Sequence, residues 1–308
     1  VVTGLERRLN PGDVLVMPEL GGARYRHLVD EARVVILNQA HFYTMFGARW
    51  EQTDPHPYPG WPNAVGAICT SAAIEHYLQA LVPSDFPVWP VPVYVANEMF
   101  VDSPKKKQVA FMLSRRSADI AGLLTLIRRN PIWPAGWDFV GIGGQSSAQV
   151  AQVLAESAIF INLADRDGFG LPGVEAMAAG AYVIGFHGGG AREYMLPEFS
   201  TLMDDPDLVA LASAVANAAA LWDQSSEAFS EQRRAARRFV ESHYGRDLFE
   251  QRVQNAFSQI MPVAGQTRSV RVRHYSSLGH QVYRRKAKTA IRRLKAAWNA
   301  PRSRQAQP

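Results

Sequence analysis

A chain of 308 residues with an apolar fraction of 47% is long enough for two globular domains and can give each a core of its own. Its single cysteine, Cys69, excludes an internal disulfide and fits a reducing compartment. The net charge of +5 is unevenly spread: residues 266–308 hold twelve Lys and Arg and no acid, leaving 21 bases against 28 acids elsewhere, so the basic balance belongs to a tail and says nothing about the body's ligand.

In chain order, Val14–Met17, Val34–Leu37, Val65–Ile68 and Val93–Ala96 are short Val- and Ile-rich runs between turn residues, the pattern of buried strands. Ala23–Glu31 and Ala72–Leu81 are the helices expected between them, and the proline- and aromatic-rich Glu51–Pro62 is an ordered loop. Such alternation implies a parallel sheet with helices on its faces. Residues 1–96 are therefore an expected first domain. Asn97–Lys107, without periodicity and ending in Lys105–Lys107, is an expected linker.

The alternation restarts more clearly in a second domain, residues 108–260. Strands are expected at Val109–Leu113, Asp138–Ile142, Ala158–Leu163 and Tyr182–Phe186. Helices are expected at Ala118–Arg128, Ser147–Glu156 and Gly173–Ala179. Over Asp207–Trp222, the residues Leu208, Leu211, Val215 and Trp222 share one helical face. In the basic tail, residues 281–299 place Tyr283, Ala287, Ile291, Leu294 and Trp298 on one stripe among Arg and Lys, a helix suited to an anionic membrane surface. A solvated tail is the other reading of that segment. Nucleic acid is not an expected partner.

The chemistry concentrates in Asp165-Arg-Asp-Gly-Phe-Gly-Leu-Pro-Gly-Val-Glu175-Ala-Met-Ala-Ala-Gly180. This run follows a strand, and open α/β sheets bind ligands at the carboxyl ends of their strands. Gly168 and Gly170 allow close backbone approach. Pro172 opens the next helix and Gly180 follows its end. The N–H groups at that helix start favour a phosphate. Asp167 and Glu175 reach the same pocket from either side of the turn, where carboxylates suit sugar and ribose hydroxyls better than phosphates. Glu175 taken alone reads as an acid that complements the helix dipole; its neighbours turn the reading to a ligand contact.

The stretch from Asp167 to Gly180 resembles the donor-site signature of the retaining GT-B glycosyltransferases (group 1 type). Tyr182-Val-Ile-Gly-Phe-His-Gly-Gly-Gly-Ala-Arg-Glu193 is similar to the family's next strand and its Gly-Gly…Glu loop. The resemblance covers about Val109–Phe257, and it departs at Asp167, where Glu is commoner. It implies an α/β fold of GT-B type, two Rossmann-like domains facing a cleft, the N-terminal one truncated. It also implies a hexosyltransferase-type enzyme that moves a sugar from a nucleoside-diphosphate donor to an acceptor hydroxyl with retention, in surface polysaccharide or glycolipid synthesis. In the family the first acid contacts the donor sugar and the second the ribose, which assigns those roles to Asp167 and Glu175. Gly168, Phe169, Gly170 and Leu171 would line the donor.

Cations for the diphosphate are expected from Arg115 and Arg116, which follow the strand Val109–Leu113. With Asp167 they form the expected catalytic set. Gly143 and Gly144 make a tight turn beside the nucleotide, Gly189 lies in a backbone nest, and Glu193 opens the next helix. Asn38, Gln39, His41 and Tyr43 are acceptor-side candidates, and His187 lies beside the glycine loop.

Asp165-Arg-Asp167 also fits an Asp-x-Asp metal motif, but the longer signature accounts for Asp167 better, so neither metal nor cofactor is expected. Two other readings stay open: a nucleotide-sugar epimerase on the same fold, and a non-catalytic nucleotide-sugar-binding scaffold at the membrane. No signal peptide and no apolar run of about 18 residues is found. The expected place is the cytoplasm, peripheral to the inner face of the membrane. The start at Val1 and the small first domain lead us to expect a fragment lacking acceptor-binding pieces.

Overall fold

The computed structural model describes residues 5–20, 26, 29, 31–46, 56–203, 206–225 and 227–274. They belong to one compact unit, Leu5–His274. After strand β1 (Leu5–Leu9), strands β2 (Leu15–Pro18), β3 (Val34–Asn38), β4 (Ala64–Cys69) and β5 (Val88–Pro90) form a parallel sheet in sequential order, with helix α1 (Ala72–Leu81) between β4 and β5. Helix α1 starts where Ser71 accepts from the Ile74 amide, and it buries Ile74 and Leu78, one turn apart, against the sheet.

The second sheet is built from β6 (Lys106–Met112), α2 (Ile120–Arg129), β7 (Asp138–Ile142), α3 (Ser147–Glu156), β8 (Ser157–Asp167), α4 (Leu171–Ala178), β9 (Tyr182–Gly189) and β10 (Ser200–Met203). Its five strands are all parallel, in the order β10-β9-β8-β6-β7. Along β8, Ile159 and Ile161 face α2 and helix α5 (Leu208–Gln224), while Phe160 faces α3 and α4. Both faces are covered, which is why the strand reads as an unbroken apolar run. The strand order reverses between β6 and β8, and such a reversal opens a crevice at the carboxyl ends of the two strands.

Helix α6 (Ser230–Tyr244) packs on α4. Helix α7 (Arg246–Ala264) then returns to the first sheet, where Ala256, Ile260 and Ala264 meet Val35, Ile68 and Trp89. Strand β11 (Val270–His274) pairs antiparallel with β1. Residues 246–274 thus pack with the first domain, whereas the sequence placed 246–260 in the second and began a basic tail at 266. An amphipathic face on α7 shows that something is buried but not which sheet buries it. The membrane-facing stripe at 281–299 and most of the helix expected at Ala23–Glu31 lie outside the described residues. Among the described residues no helix is long and apolar enough to cross a membrane.

Two other expectations change. The edge strand is Val88–Pro90; Val93–Ala96 is not in the sheet, because Pro90 and Pro92 remove ladder donors. Val95 is nonetheless fully buried, and its amide bonds the Tyr244 carbonyl at 2.9 Å. Of the linker, Asn97–Met99 is a 3-10 turn, and Lys106 and Lys107 already belong to β6. Within the expected loop Glu51–Pro62, Tyr58 and Trp61 form an antiparallel bridge with both side chains fully buried.

Candidate functional site

Arg115 and Asp167 stand on the two sides of the β6/β8 reversal. Arg115 follows β6, while β8 runs on to Asp167, which pairs with Gly189 of β9. The two side chains join in a bidentate pair: Nε donates to Oδ2 at 3.0 Å, and Nη2 lies 2.8 Å from Oδ1. A guanidinium has five N–H donors, so this side-on contact leaves three, including the end-on fork, for a further anion. The Asp167 oxygens likewise keep lone pairs for hydroxyl donors.

Arg116 is held differently from its neighbour. Its φ is +41°, in the left-handed region that bulky residues rarely enter. This turn directs its guanidinium down over the Phe186 ring, 4.9 Å from the centroid. Its Nε donates to the Ala164 carbonyl at 3.1 Å, and it pairs with Asp165 at 3.4 Å and Asp119 at 3.7 Å. The sequence treated the two arginines as one phosphate clamp; the structure separates them. Arg115 faces the crevice, and Arg116 braces the strand ends beneath it.

The turn after Asp167 is tightly fixed. Gly170 has φ +90° and ψ +57° as the N-cap of α4. The buried Tyr194 hydroxyl donates to the Gly170 carbonyl at 2.5 Å. Pro172 lacks an N–H and the Gly173 amide bonds Gly170 O at 3.3 Å, so this helix start offers an anion fewer donors than the sequence suggested. Leu171 is exposed. Phe169, expected on the donor, is only 4% exposed and packs between Tyr194 and Tyr244; its ring belongs to the core under the loop. Tyr194 itself was not foreseen, since nothing in its neighbourhood of sequence marks it as a support for a loop 24 residues away.

Glu175 projects from α4 into a partly covered position. Burial raises the pKa of its carboxyl above the ordinary 4.5, with a smaller push from Glu98. No hydrogen-bond donor reaches its carboxylate among the described residues. Gly143 and Gly144 follow β7, and Gly144 has φ +82°. The Gly143 amide bonds the Gln145 side chain. On the neighbouring turn, Gly189 has φ +101°, and its amide donates to His187 Nδ1 at 2.8 Å.

The first domain touches this loop directly. Ser71 Oγ donates to the Gly168 carbonyl at 2.5 Å. A methyl group on Gly168 would lie 2.2 Å from the Gln39 carbonyl oxygen. Phe42 covers Gly189, where an added methyl would meet its ring at 3.3 Å. Glu193, expected at the donor, accepts from the Ala72 amide at 2.7 Å and from Tyr244 Oη at 3.1 Å. It therefore caps α1 of the first domain, and its pKa is raised mainly by burial.

The acceptor-side candidates divide. Asn38 is fully buried and donates to Thr44 at 2.8 Å and Tyr58 at 2.7 Å, so its amide holds the first domain together. His41 starts a 3-10 turn, His41–Tyr43, with its pKa lowered by burial. Its Nδ1 is buried without a hydrogen bond, and its ring lies 5.1 Å from Tyr77. Tyr43 is exposed. Gln39 reaches the turn at Gly168 through its backbone. The two acids of Asp165-Arg-Asp167 are each paired with an arginine, and among the described residues no group of three His, Cys, Asp or Glu is placed to hold a metal.

Residues 138–236 match the family described as Glycosyl transferases group 1. An alpha-1,6-glucosyltransferase of Actinobacillus pleuropneumoniae serotype 7 is 28% identical over 195 residues, which cover 61% of this chain and 57% of that protein. The chain thus spans somewhat over half the length of this curated relative.

Among solved structures, the pneumococcal O-GlcNAc transferase GtfA, in complex with UDP and GlcNAc, is similar at a TM-score of 0.58 and 12% identity, over 82% of this chain and 58% of that one. Sucrose-phosphate synthase of Thermosynechococcus elongatus gives 0.56 and 16%, over 75% and 68%. An Anabaena protein in complex with UDP and glucose gives 0.55 and 14%, over 74% and 72%. At these identities the likeness is one of fold. The chain therefore carries a glycosyl transferases group 1 domain over residues 138–236 and has the α/β fold of the GT-B glycosyltransferases.

Proposed function

We propose that the protein transfers a sugar from a nucleoside-diphosphate donor to an acceptor hydroxyl with retention of anomeric configuration. The observation that carries this reading is the Arg115–Asp167 pair at the reversal of strand order, with a free guanidinium edge and an adjoining glycine turn. The donor diphosphate takes the open edge of Arg115, and hydroxyls of the sugar bond the remaining lone pairs of Asp167. Glu175, which no hydrogen-bond donor reaches among the described residues, accepts from the ribose hydroxyls.

In the transfer step the acceptor oxygen bonds to the anomeric carbon on the face the donor leaves. The anomeric carbon–oxygen bond breaks with its electron pair going to the nucleoside diphosphate, and the acceptor proton passes to a phosphate oxygen. Arg115 stabilises the charge that develops on the leaving group, which makes a metal ion unnecessary. UDP-glucose is the first donor to test, given the glucosyltransferase relative and the UDP-bound neighbours.

The test is a thermal-shift screen of nucleotide sugars, since a donor that binds only the folded state raises the melting temperature. Donors that bind are then incubated with acceptor sugars, with and without chelator, and the anomeric proton of the product is read by NMR. Donor binding with a retained anomer, insensitive to chelator, is expected. An inverted anomer or dependence on added metal contradicts the mechanism; conversion of the donor without an acceptor favours an epimerase.

A further inference from the structure

At the other end of α4, away from the donor loop, lies a cavity of about 280 Å³ whose charge the transfer reaction does not use. Lys105, Arg233, Arg234 and Arg237 line it, against two acids, Asp102 and Glu227. The cations are not equally available. Arg237 is committed: it bonds Asp102 at 3.1 Å, the Phe100 carbonyl at 2.9 Å and Glu241 at 3.4 Å. That contact also neutralises Asp102.

Arg233 is held by its Nε on the Phe229 carbonyl at 3.2 Å and by the Trp222 ring, 4.8 Å from its guanidinium carbon. Among the described residues neither of its terminal nitrogens makes a hydrogen bond, which leaves both for a ligand. Arg234 uses one nitrogen on Ser230 Oγ at 3.3 Å. Ser230 is the first residue of α6; its amide already bonds the Glu227 carbonyl at 2.9 Å and Glu231 lies in the first turn, so the helix start adds little to the charge of the cavity.

Lys105 forms the floor. Its Nζ donates to the carbonyls of Ala155 at 2.6 Å and Ala179 at 2.7 Å, which close α3 and α4. Burial, then Arg233 and Arg237, push its pKa down to about 7. The arginines thus crowd a buried ammonium; Asp102 offsets them least of the causes that act on Lys105, and Glu227 acts on Arg233, so the cations outnumber the acids and an incoming anion relieves the crowding.

We propose that this cavity is a second anion site, separate from the donor site, that takes a phosphate-bearing small molecule. Two forked guanidinium groups suit the oxygens of a phosphate, and the volume of about 280 Å³ admits a sugar phosphate.

The probe is inorganic phosphate, followed by isothermal titration with the wild-type chain and four variants. Saturable 1:1 binding is expected in the wild type and in Arg115→Gln, which removes the phosphate ligand of the donor site. Arg233→Gln and Arg234→Gln, tested singly, are expected to weaken it at least tenfold. Arg238→Gln, exposed on the same helix outside the cavity, leaves it unchanged. Titrations with sulfate, which carries no proton at this pH, at pH 7.5 in two buffers of different ionisation enthalpy are expected to show proton uptake, because the bound anion raises the Lys105 pKa. The inference is overturned by an absence of saturable binding, by binding that survives both Arg233→Gln and Arg234→Gln, or by binding lost in Arg115→Gln. The last result would place the phosphate in the donor site. A donor reading that fails leaves the Arg115→Gln titration intact, so the two failures are distinguishable.

Discussion

Asp167 grips Arg115 from the side, through Nε and one terminal nitrogen, so that the far edge of the guanidinium faces the crevice between β6 and β8. The acid thus aims the cation. On the proposed function Arg115 meets the leaving diphosphate, so Arg115→Gln is expected to lower kcat by about 10²–10³-fold. Arg115→Lys is expected to rescue little, because an ammonium has no second edge once Asp167 is engaged. Steady-state kinetics with a saturating donor checks this; equal turnover in Arg115→Lys and wild type would show that the fork has no role.

Glu175 is a half-buried acid without a hydrogen-bond donor among the described residues, and its folded pKa is raised. The stability it contributes is fully present below the ordinary pKa of 4.5 and is lost as pH rises through the folded value. Glu175→Gln is therefore expected to stabilise the protein by about 0.5–2 kcal/mol at pH 7–8 and to change little at pH 4. Nucleotide affinity should fall in the same variant. Urea unfolding across this pH range gives the first result and calorimetric titration the second; a destabilised Glu175→Gln at pH 8 would mean that the carboxylate has a partner.

Glu193 joins the two domains by accepting from the Ala72 amide and Tyr244 Oη. Hydrogen bonds to charged groups are each worth about 1.5–3 kcal/mol. Glu193→Ala should therefore lower unfolding stability by at least the lower figure, while Glu193→Gln, which keeps an acceptor oxygen, should lose less. Denaturant melts of both variants decide it, and equal losses would show that size, not bonding, matters there.

Gly168 leaves no room for a methyl group, since the Gln39 carbonyl would lie 2.2 Å away and is backbone on both sides. Gly168→Ala is expected to part the donor loop from the first domain and break the Ser71 bond. Hydrogen exchange should then quicken at Tyr43 and Thr44, whose amides bond Ala40 O and His41 O. Unchanged protection there would show that the contact is not tight in solution.

The second sheet was legible because both of its faces are covered and its strands are therefore plain apolar runs between turn residues. The turn from Asp167 to Leu171 was legible because its glycines and the proline that follows answer local backbone needs. Contacts that depend on strand order were not: Arg115 and Asp167 lie 52 residues apart in sequence, and only the β6/β8 adjacency brings them together. Phe169 misled for a related reason, since a ring between two glycines looks ligand-facing until Tyr194 and Tyr244 are placed around it. Lys105 read as linker charge, yet two helix ends fold over it. The return of α7 to the first sheet has no local signature, because its apolar face fits either sheet.

The central claim is that the β6/β8 crevice binds a nucleoside diphosphate through Arg115 and its ribose through Glu175. Isothermal titration of UDP into the wild-type chain, Arg115→Gln and Glu175→Ala tests it most directly, with ADP and GDP as alternatives if UDP is silent. The account predicts one saturable site, weakened at least tenfold by either substitution. Failure of all three nucleotides to bind, or binding indifferent to both substitutions, would contradict it.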